Sequence, residues 1–167
     1  MDLSDLWNQK REFSPNPAEC GDRLYSLDVS LQEVPGNMTG DYRTPSVIIK
    51  DSTGAAAVRF QYESFRVYEG KPELVGLPSS FCGKKQADTL EITLMDTSSK
   101  VKAVLIYTVF RDMDMITRSV RLINEGEKPV YIKKAASSCV EFTDSRYELV
   151  SLPGCWAMER TPQRKEL

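Results

Sequence analysis

The sequence contains no histidine among its 167 residues. This absence excludes Ser-His-Asp and Cys-His catalysis, histidine-ligated zinc and the commonest general base near neutral pH. The four cysteines are widely scattered and form no C-x-x-C pair, so they do not indicate a zinc site either. We therefore expect no metal and no cofactor. Any catalysis by this chain would have to use carboxylates, lysine or tyrosine.

The sequence also lacks any apolar run near the length of about 20 residues that a membrane span requires. Its 22 basic and 24 acidic residues give a net charge of −2, which provides no long-range attraction for nucleic acid or anionic lipid. The first residues are acidic and have neither the basic nor the apolar region of a signal peptide. These features predict a cytoplasmic protein with no nucleic-acid partner and no membrane partner.

The cysteines allow two interpretations. Cys20, Cys82, Cys139 and Cys155 could form two disulfides in an exported protein, with three pairings open. Without an export signal, reduced and mostly buried thiols are favoured.

A period of two dominates the sequence from Val58 onward, which is typical of β-strands. Apolar residues alternate with polar ones over residues 58–62, but Phe65 and Val67 fall on the opposite parity. A bulge near Glu63-Ser64 is predicted to keep both side chains facing the core. Residues 101–110 are almost continuously apolar, as in a strand covered on both faces.

Many strands separated by short turns predict an all-β fold, an antiparallel β-sandwich with almost no helix. Only residues 2–10 have a weak helical pattern. The segments between the strands are typical of hairpin turns, which would join antiparallel neighbours. The remaining predicted strands cover residues 23–29, 90–94, 116–122 and 130–142, and the predicted turns cover residues 96–100 and 124–129.

Asp112 and Asp114 are the carboxylate pair that most invites a catalytic interpretation. Residues two apart on a strand face the same way, at a spacing that does not exclude glycosidase chemistry. However, a bare D-x-D between two apolar strands is more typical of a turn, and the turn is favoured. Similarly, Gly70-Lys71-Pro72 lacks the glycine spacing of a phosphate loop and is interpreted as a turn.

Two aromatic residues have alternative interpretations as core or as binding residues. Trp156 could pack its indole against the apolar face of a sugar, but a tryptophan beside apolar strands is more often partial core. Phe13 lies before two prolines and could present its ring outward or attach the loop to the sandwich. The residues alone leave the role of Phe13 undecided.

Taken in order, several motifs resemble glycoside hydrolase family 36, the α-galactosidases of raffinose and melibiose breakdown. The matching segments cover nearly the whole chain: Phe13-Ser14-Pro15-Asn16-Pro17, Ser26-Leu27-Asp28, Gly40-Asp41-Tyr42-Arg43-Thr44-Pro45, residues 65–72, Gly76-Leu77-Pro78, Thr89-Leu90-Glu91-Ile92, residues 107–110 and 116–121, and Gly154-Cys155-Trp156-Ala157-Met158-Glu159-Arg160.

The resemblance implies that residues 1–167 are a supersandwich-like N-terminal β-sandwich domain, incomplete at its N-terminus. It also implies that two catalytic aspartates lie on a (β/α)₈ barrel that this chain lacks, where they would hydrolyse α-galactosides with retention. The domain would pack on that barrel, support a homo-oligomer and be inactive alone.

The resemblance further assigns three substrate-binding residues. The tryptophan that matches Trp156 lines the galactose pocket. In tetrameric members, the loop before the Phe13 motif reaches a neighbouring active site with an aspartate, and Lys10 stands near that position here. Phe13 closes the same loop. A second hypothesis, from a different class, is a free-standing carbohydrate-binding or assembly module without catalysis.

Overall fold

The computed structural model describes residues 33–38, 43–142 and 146–166. These residues form an all-β fold of antiparallel strands and contain no helix, as the sequence predicts. Three sheets are present, with strand orders β1-β6, β2-β3-β4-β5 and β7-β8. The strands are β1 (Val47–Lys50), β2 (Gln61–Glu69), β3 (Ala87–Asp96), β4 (Val101–Phe110), β5 (Ile116–Asn124), β6 (Tyr131–Ala135), β7 (Glu148–Ser151) and β8 (Gln163–Glu166).

The turn between β3 and β4 is closed by the carboxylate of Asp96. This carboxylate accepts hydrogen bonds from the Ser98 hydroxyl and the Ser99 amide, both at 2.8 Å, and from the Arg59 amide at 3.1 Å. Lys100 completes the turn in the left-handed region, with φ of 58°. Burial alone would raise the pKa of Asp96, but the hydrogen bonds, led by those of Ser99, outweigh it and lower the pKa. The predicted hairpin turn over residues 96–100 is confirmed.

The predicted bulge in β2 is also confirmed. Tyr62 pairs with Leu94 while Ser64 pairs with Thr93, so Glu63 is the extra residue. The bulge returns Phe65 and Val67 to the face of the sheet that carries Leu94. Their predicted burial is wrong, however, because Phe65 is exposed and Val67 is 59% exposed.

The core lies between the β1-β6 sheet and one face of the four-stranded sheet, which makes the fold a β-sandwich. One buried cluster contains Val47, Ile49, Val58 and Val101, and a second contains Leu94, Ala103 and Leu105. Val34, Phe60 and Leu122 pack against both clusters. The two-stranded sheet covers only the end of the face near Val101. The opposite end, which carries Val67, Val109 and Ile116, is consequently exposed.

Strand β4 is buried on both faces, as its continuous apolar sequence predicts. Leu105 is fully buried on the sandwich side, and the neighbouring Ile106 is buried on the other side. The connection between β2 and β3 lies over that second face, where its residues line a cavity together with Ile106 and Thr108.

Two predictions about β6 are wrong. The strand predicted over residues 130–142 covers only Tyr131–Ala135, and the Ala136 amide beyond it donates to the Ser46 carbonyl at 2.8 Å, next to the Val47–Ala135 pair. The turn over residues 124–129 does not join neighbours. It carries the chain from the four-stranded sheet to the two-stranded sheet, where β6 pairs with β1.

Several predictions fall outside the described residues or concern the cysteines. The predicted helix over residues 2–10, the strand over residues 23–29 and Cys20 lie outside the described ranges. Cys82, Cys139 and Cys155 are free thiols. Cys155 is exposed, contrary to the expectation of mostly buried thiols. Within the described ranges, no helix is long and apolar enough to span a membrane.

Candidate functional site

The terminal hairpin β7-β8 carries the sequence-predicted binding residue Trp156. Its two strands pair from Glu148 with Glu166 to Ser151 with Gln163, and Arg164 donates to the Glu148 carboxylate at 2.7 Å. The hairpin pairs with no other described strand, and every residue from 146 to 166 is exposed. A two-stranded hairpin is only marginally stable alone in water, so this hairpin depends on cover that the described residues do not supply.

The loop between β7 and β8, residues 152–162, is folded tightly on itself. A Cβ atom at Gly154 would lie 2.9 Å from the Glu159 Cα, so only glycine fits there without moving the backbone. The Met158 amide donates to the Cys155 carbonyl at 2.9 Å. Ala157 has a left-handed φ of 66°, which non-glycine residues adopt at a cost. The loop therefore has a defined shape although it has no cover.

This loop presents the Trp156 side chain to solvent. Trp156 is 93% exposed, and its neighbours Leu152 and Met158 are also exposed. The sequence-based interpretation of Trp156 as partial core is therefore wrong for this chain. An indole in this position offers an apolar ring face, which packs well on the C–H surface of a sugar.

The structure places only one of the three predicted substrate-binding residues. Lys10 and Phe13 lie outside the described residues. Their proximity to Trp156 and their contacts with substrate stay predictions that rest on the family resemblance.

Asp112 and Asp114 lie in the turn between β4 and β5, as favoured from the sequence. The turn is closed by the Phe110 amide, which donates to the Met115 carbonyl at 3.1 Å, and both aspartates are exposed. Neither lines the cavity beside residues 70–86. Gly70 lies in a bend directly after β2, with φ of 87°, and begins the long connection to β3.

Sequence reasoning missed a polar cluster of Glu33, Tyr107 and Arg118 on the sandwich face. The Arg118 Nε donates to the Tyr107 hydroxyl at 3.1 Å and its Nη2 to the Glu33 carbonyl at 3.1 Å, while the Tyr107 hydroxyl bonds the Glu33 carboxylate. Burial, followed by the bond to Glu33, raises the pKa of Tyr107. Tyr107 is thus a neutral donor that attaches residue 33 to the sheet. Glu33 lies in irregular sequence, so no periodic pattern could have indicated this cluster.

A second polar cluster lies on the opposite face of the sheet, around Glu91. The Glu91 carboxylate is buried and accepts hydrogen bonds from Arg66 Nε and from the Tyr68 hydroxyl, both at 2.8 Å. Burial, followed by the bond to Glu91, raises the pKa of Tyr68 to about 12. Every polar group has a partner, so the cluster stabilises the β2-β3 pair and offers no catalytic group.

The fold and the exposed loop define a class: an antiparallel β-sandwich domain that presents an aromatic side chain on a terminal hairpin. Comparison with known proteins identifies this domain. The family model described as Glycosyl hydrolase family 36 N-terminal domain matches residues 2–167. The chain belongs to this family.

Its relatives are much longer proteins. The bifunctional alpha-galactosidase/sucrose kinase AgaSK of Mediterraneibacter gnavus is 40% identical over 158 residues, which are 94% of this chain and 17% of the relative. Alpha-galactosidase Mel36A of Lactobacillus acidophilus is 39% identical over 94% of this chain and 22% of its own length.

Solved structures agree with these sequence matches. A variant of the GH36 alpha-galactosidase AgaA from Geobacillus stearothermophilus, in complex with stachyose, superposes with a TM-score of 0.84 at 37% identity. The match covers 95% of this chain and 22% of that one.

Proposed function

We propose that this chain functions as the N-terminal domain of an α-galactosidase that hydrolyses terminal α-galactosides such as raffinose and melibiose with retention. The observation that carries this proposal is the identity of about 40% to an α-galactosidase over 94% of the chain. The domain would act with a catalytic (β/α)₈ barrel that supplies both aspartates.

We further propose that the domain packs on this barrel through surfaces that are exposed in the isolated chain. Apolar side chains on the terminal hairpin, among them Leu149 and Leu152, are half exposed or more. Exposed apolar patches of this kind mark interaction sites. A barrel that covered the hairpin would bring the Trp156 loop to the sugar pocket. Support of a homo-oligomer by the domain is proposed on the family resemblance alone. Its cytoplasmic location is proposed on the sequence pattern described above.

The isolated chain is proposed to be inactive. Asp112 and Asp114 are exposed in a turn, and the sequence has no histidine. Any catalysis would have to use carboxylates, lysine or tyrosine, and Asp112 and Asp114 do not line the cavity beside residues 70–86. Purified chain should therefore not release galactose from raffinose, whereas the full-length protein that carries it should.

The role of Trp156 is tested in that full-length enzyme. We expect Trp156→Ala to lower kcat/KM for raffinose about 3- to 10-fold, since an aromatic packing contact contributes about 0.5–1.5 kcal/mol. Phe81→Ala is the matched control, because Phe81 is an equally exposed aromatic on a different loop. Loss of soluble protein with unchanged specific activity would instead assign Trp156 to packing.

A free-standing carbohydrate-binding module is the second candidate function. The nearly complete exposure of Trp156 favours it, because a sugar could reach this ring without a barrel. Titration of the isolated chain with raffinose and galactose separates the two functions. Saturable amide shifts around Trp156 would support a binding module, and their absence would support a domain that works only with its barrel.

A further inference from the structure

The connection between β2 and β3, residues 70–86, forms a cavity against the face of the sheet that lies away from the sandwich core. At this length it far exceeds the usual hairpin loop of about 2–5 residues, and long ordered loops are frequently functional. Its base is attached firmly: the Gly70 amide donates to the Ala87 carbonyl at 2.7 Å, and the Arg111 amide donates to the Gln86 carbonyl at 2.9 Å. The loop thus encloses a defined space.

The cavity measures about 210 Å³ and lies between this loop and strands β4 and β5. From the loop, Lys71, Ser79 and Ser80 line it, and from β5, Thr117 and Ser119. A drug-sized ligand occupies about 300–1,000 Å³, so the space suits a smaller group. Its lining includes no carboxylate and no aromatic side chain within the described part of the protein.

One hydroxyl in this cavity has no hydrogen-bonding partner. Ser80 Oγ is buried and has no hydrogen-bond partner among the described residues, a state that is unfavourable unless a ligand or water satisfies the hydroxyl. Thr108 also lines the cavity, but Thr89 donates to the Gly70 carbonyl at 2.6 Å, so Thr108 must donate to Thr89. The hydroxyl proton of Thr108 is therefore already used, and Ser80 is the hydroxyl that lacks an acceptor. Among the described residues Arg118 Nη1 is also buried without a partner, but its side chain bonds Tyr107 on the sandwich face.

The charge in the cavity is positive. Lys71 forms no ion pair within the described residues. Arg118 also lines the space, but its guanidinium bonds Tyr107 on the sandwich face, so we give that group no role here. The cavity combines a cation, an unsatisfied hydroxyl donor and further hydroxyls, and no carboxylate of the described residues lines it. This combination suits an anion better than it suits a neutral sugar, because a sugar is usually held by an aromatic ring.

We propose that this cavity is a binding site for a small oxyanion, such as inorganic phosphate or a carboxylate. Lys71 and Ser80 donate to its oxygens, and the hydroxyls of β5 complete the site. The site is separate from the Trp156 loop and does not depend on the α-galactosidase function proposed above.

The test is the thermal unfolding of the 167-residue chain in increasing sodium phosphate, with sodium chloride added to hold the ionic strength constant. We expect phosphate to raise Tm saturably, because a ligand that binds only the folded state stabilises it. Lys71→Met and Ser80→Ala should each weaken the fitted affinity about tenfold, as expected for the loss of one charge-assisted hydrogen bond. Sodium acetate in parallel shows whether a carboxylate replaces phosphate.

Lys85→Met is the matched control, because Lys85 lies on the same loop, is exposed and does not line the cavity. General stabilisation by phosphate through exclusion from the protein surface would raise the Tm of all variants equally. An equal rise in Tm for all variants would thus overturn the proposal and would mean that the cavity holds only water. Saturable stabilisation by galactose instead of phosphate would also contradict it. A chain without any cooperative melt, with or without phosphate, would contradict it as well, since the site requires the loop packed on the sheet.

Discussion

The central sheet and the terminal hairpin are both antiparallel and regularly paired, yet they differ throughout in burial. In β4, Ala103 and Leu105 are fully buried between layers. In β7 and β8 every residue is exposed, including Leu149 and Val150. Ladder hydrogen bonds therefore define the shape of both regions, whereas apolar burial stabilises only the central sheet. The exposure of the hairpin fits the proposed contact with a catalytic barrel.

The largest expected effect is a difference in the free energy of unfolding when leucine is truncated in the central sheet and in the hairpin. Leu105→Ala should lower the free energy of unfolding of the chain by about 2–5 kcal/mol, because it opens a cavity in the core. Leu149→Ala should change it by less than about 0.5 kcal/mol. Urea unfolding followed by circular dichroism measures both. Similar losses from the two variants would mean that the hairpin belongs to the cooperative unit.

The buried Asp96 turn and the exposed Asp112 turn of the central sheet give a second contrast, in how the free energy of unfolding depends on pH. Asp96→Ala should cost about 1–3 kcal/mol, because the amides of Arg59 and Ser99, in part-buried hydrogen bonds, lose their acceptor. The folded-state pKa of Asp96 is lowered, so its contribution is complete above the unfolded pKa of about 3.9 and disappears as pH falls through the folded value. Unfolding measured from pH 6 to pH 2 should show wild type and variant converging at the acid end. Asp112→Ala, in an exposed turn, should follow the wild type.

A third, smaller effect is expected in the hairpin loop itself. Gly154→Ala places a Cβ against the backbone of Glu159 and should displace the Trp156 loop without altering the central sheet. Amide shifts should change over residues 152–162, while the midpoint of global unfolding stays constant. Gly83→Ala is the control, because its added Cβ would meet only the flexible Gln86 side chain. A lower midpoint of global unfolding for Gly154→Ala would show that the loop unfolds together with the core.

The smallest effect is expected at the exposed ion pairs beside β3. Arg111 Nε donates to Asp88 at 2.8 Å, and these contacts lower the pKa of the Asp88 carboxyl. Both groups are exposed, so salt screens their attraction and holding the side chains costs entropy. Arg111→Gln should therefore leave the urea midpoint unchanged at physiological salt and lower it slightly at low salt. A clear loss at high salt would show that the pair acts through more than surface charge.

The central sheet was predictable because its strands follow simple patterns, a polar–apolar alternation in β2, β3 and β5 and a continuous apolar run in β4. The change of parity at Phe65 required a bulge, and the bulge occurs at Glu63. The prediction of strand neighbours failed for β6, because the turn before it is a local sequence pattern whereas its partner β1 is distant in the sequence. A short turn at residues 124–129 indicates that two strands follow each other, but it does not determine that the second strand changes sheet.

The candidate site was predictable only through the family resemblance. Nothing in the local sequence distinguishes an exposed Trp156 from a buried one, because exposure depends on whether the hairpin packs on the sandwich. The cavity under residues 70–86 was not predicted at all. Its hydroxyl residues are far apart in the sequence and meet only after the loop lies on β4 and β5.

The bulge in β2 has a consequence for how the strand tolerates changes of length. Glu63 is the only residue of β2 that has no ladder partner, and its carboxylate reaches Lys102 at 3.1 Å. Removing Glu63 would leave Tyr62, Phe65 and Val67 on their present face, because the remaining residues alternate regularly. Removing Phe65 would also leave a regularly alternating strand, but Ser64 would then take the place of the aromatic ring on that face. Glu63 can therefore be deleted, in evolution or in the laboratory, while the other side chains of β2 stay on their present faces.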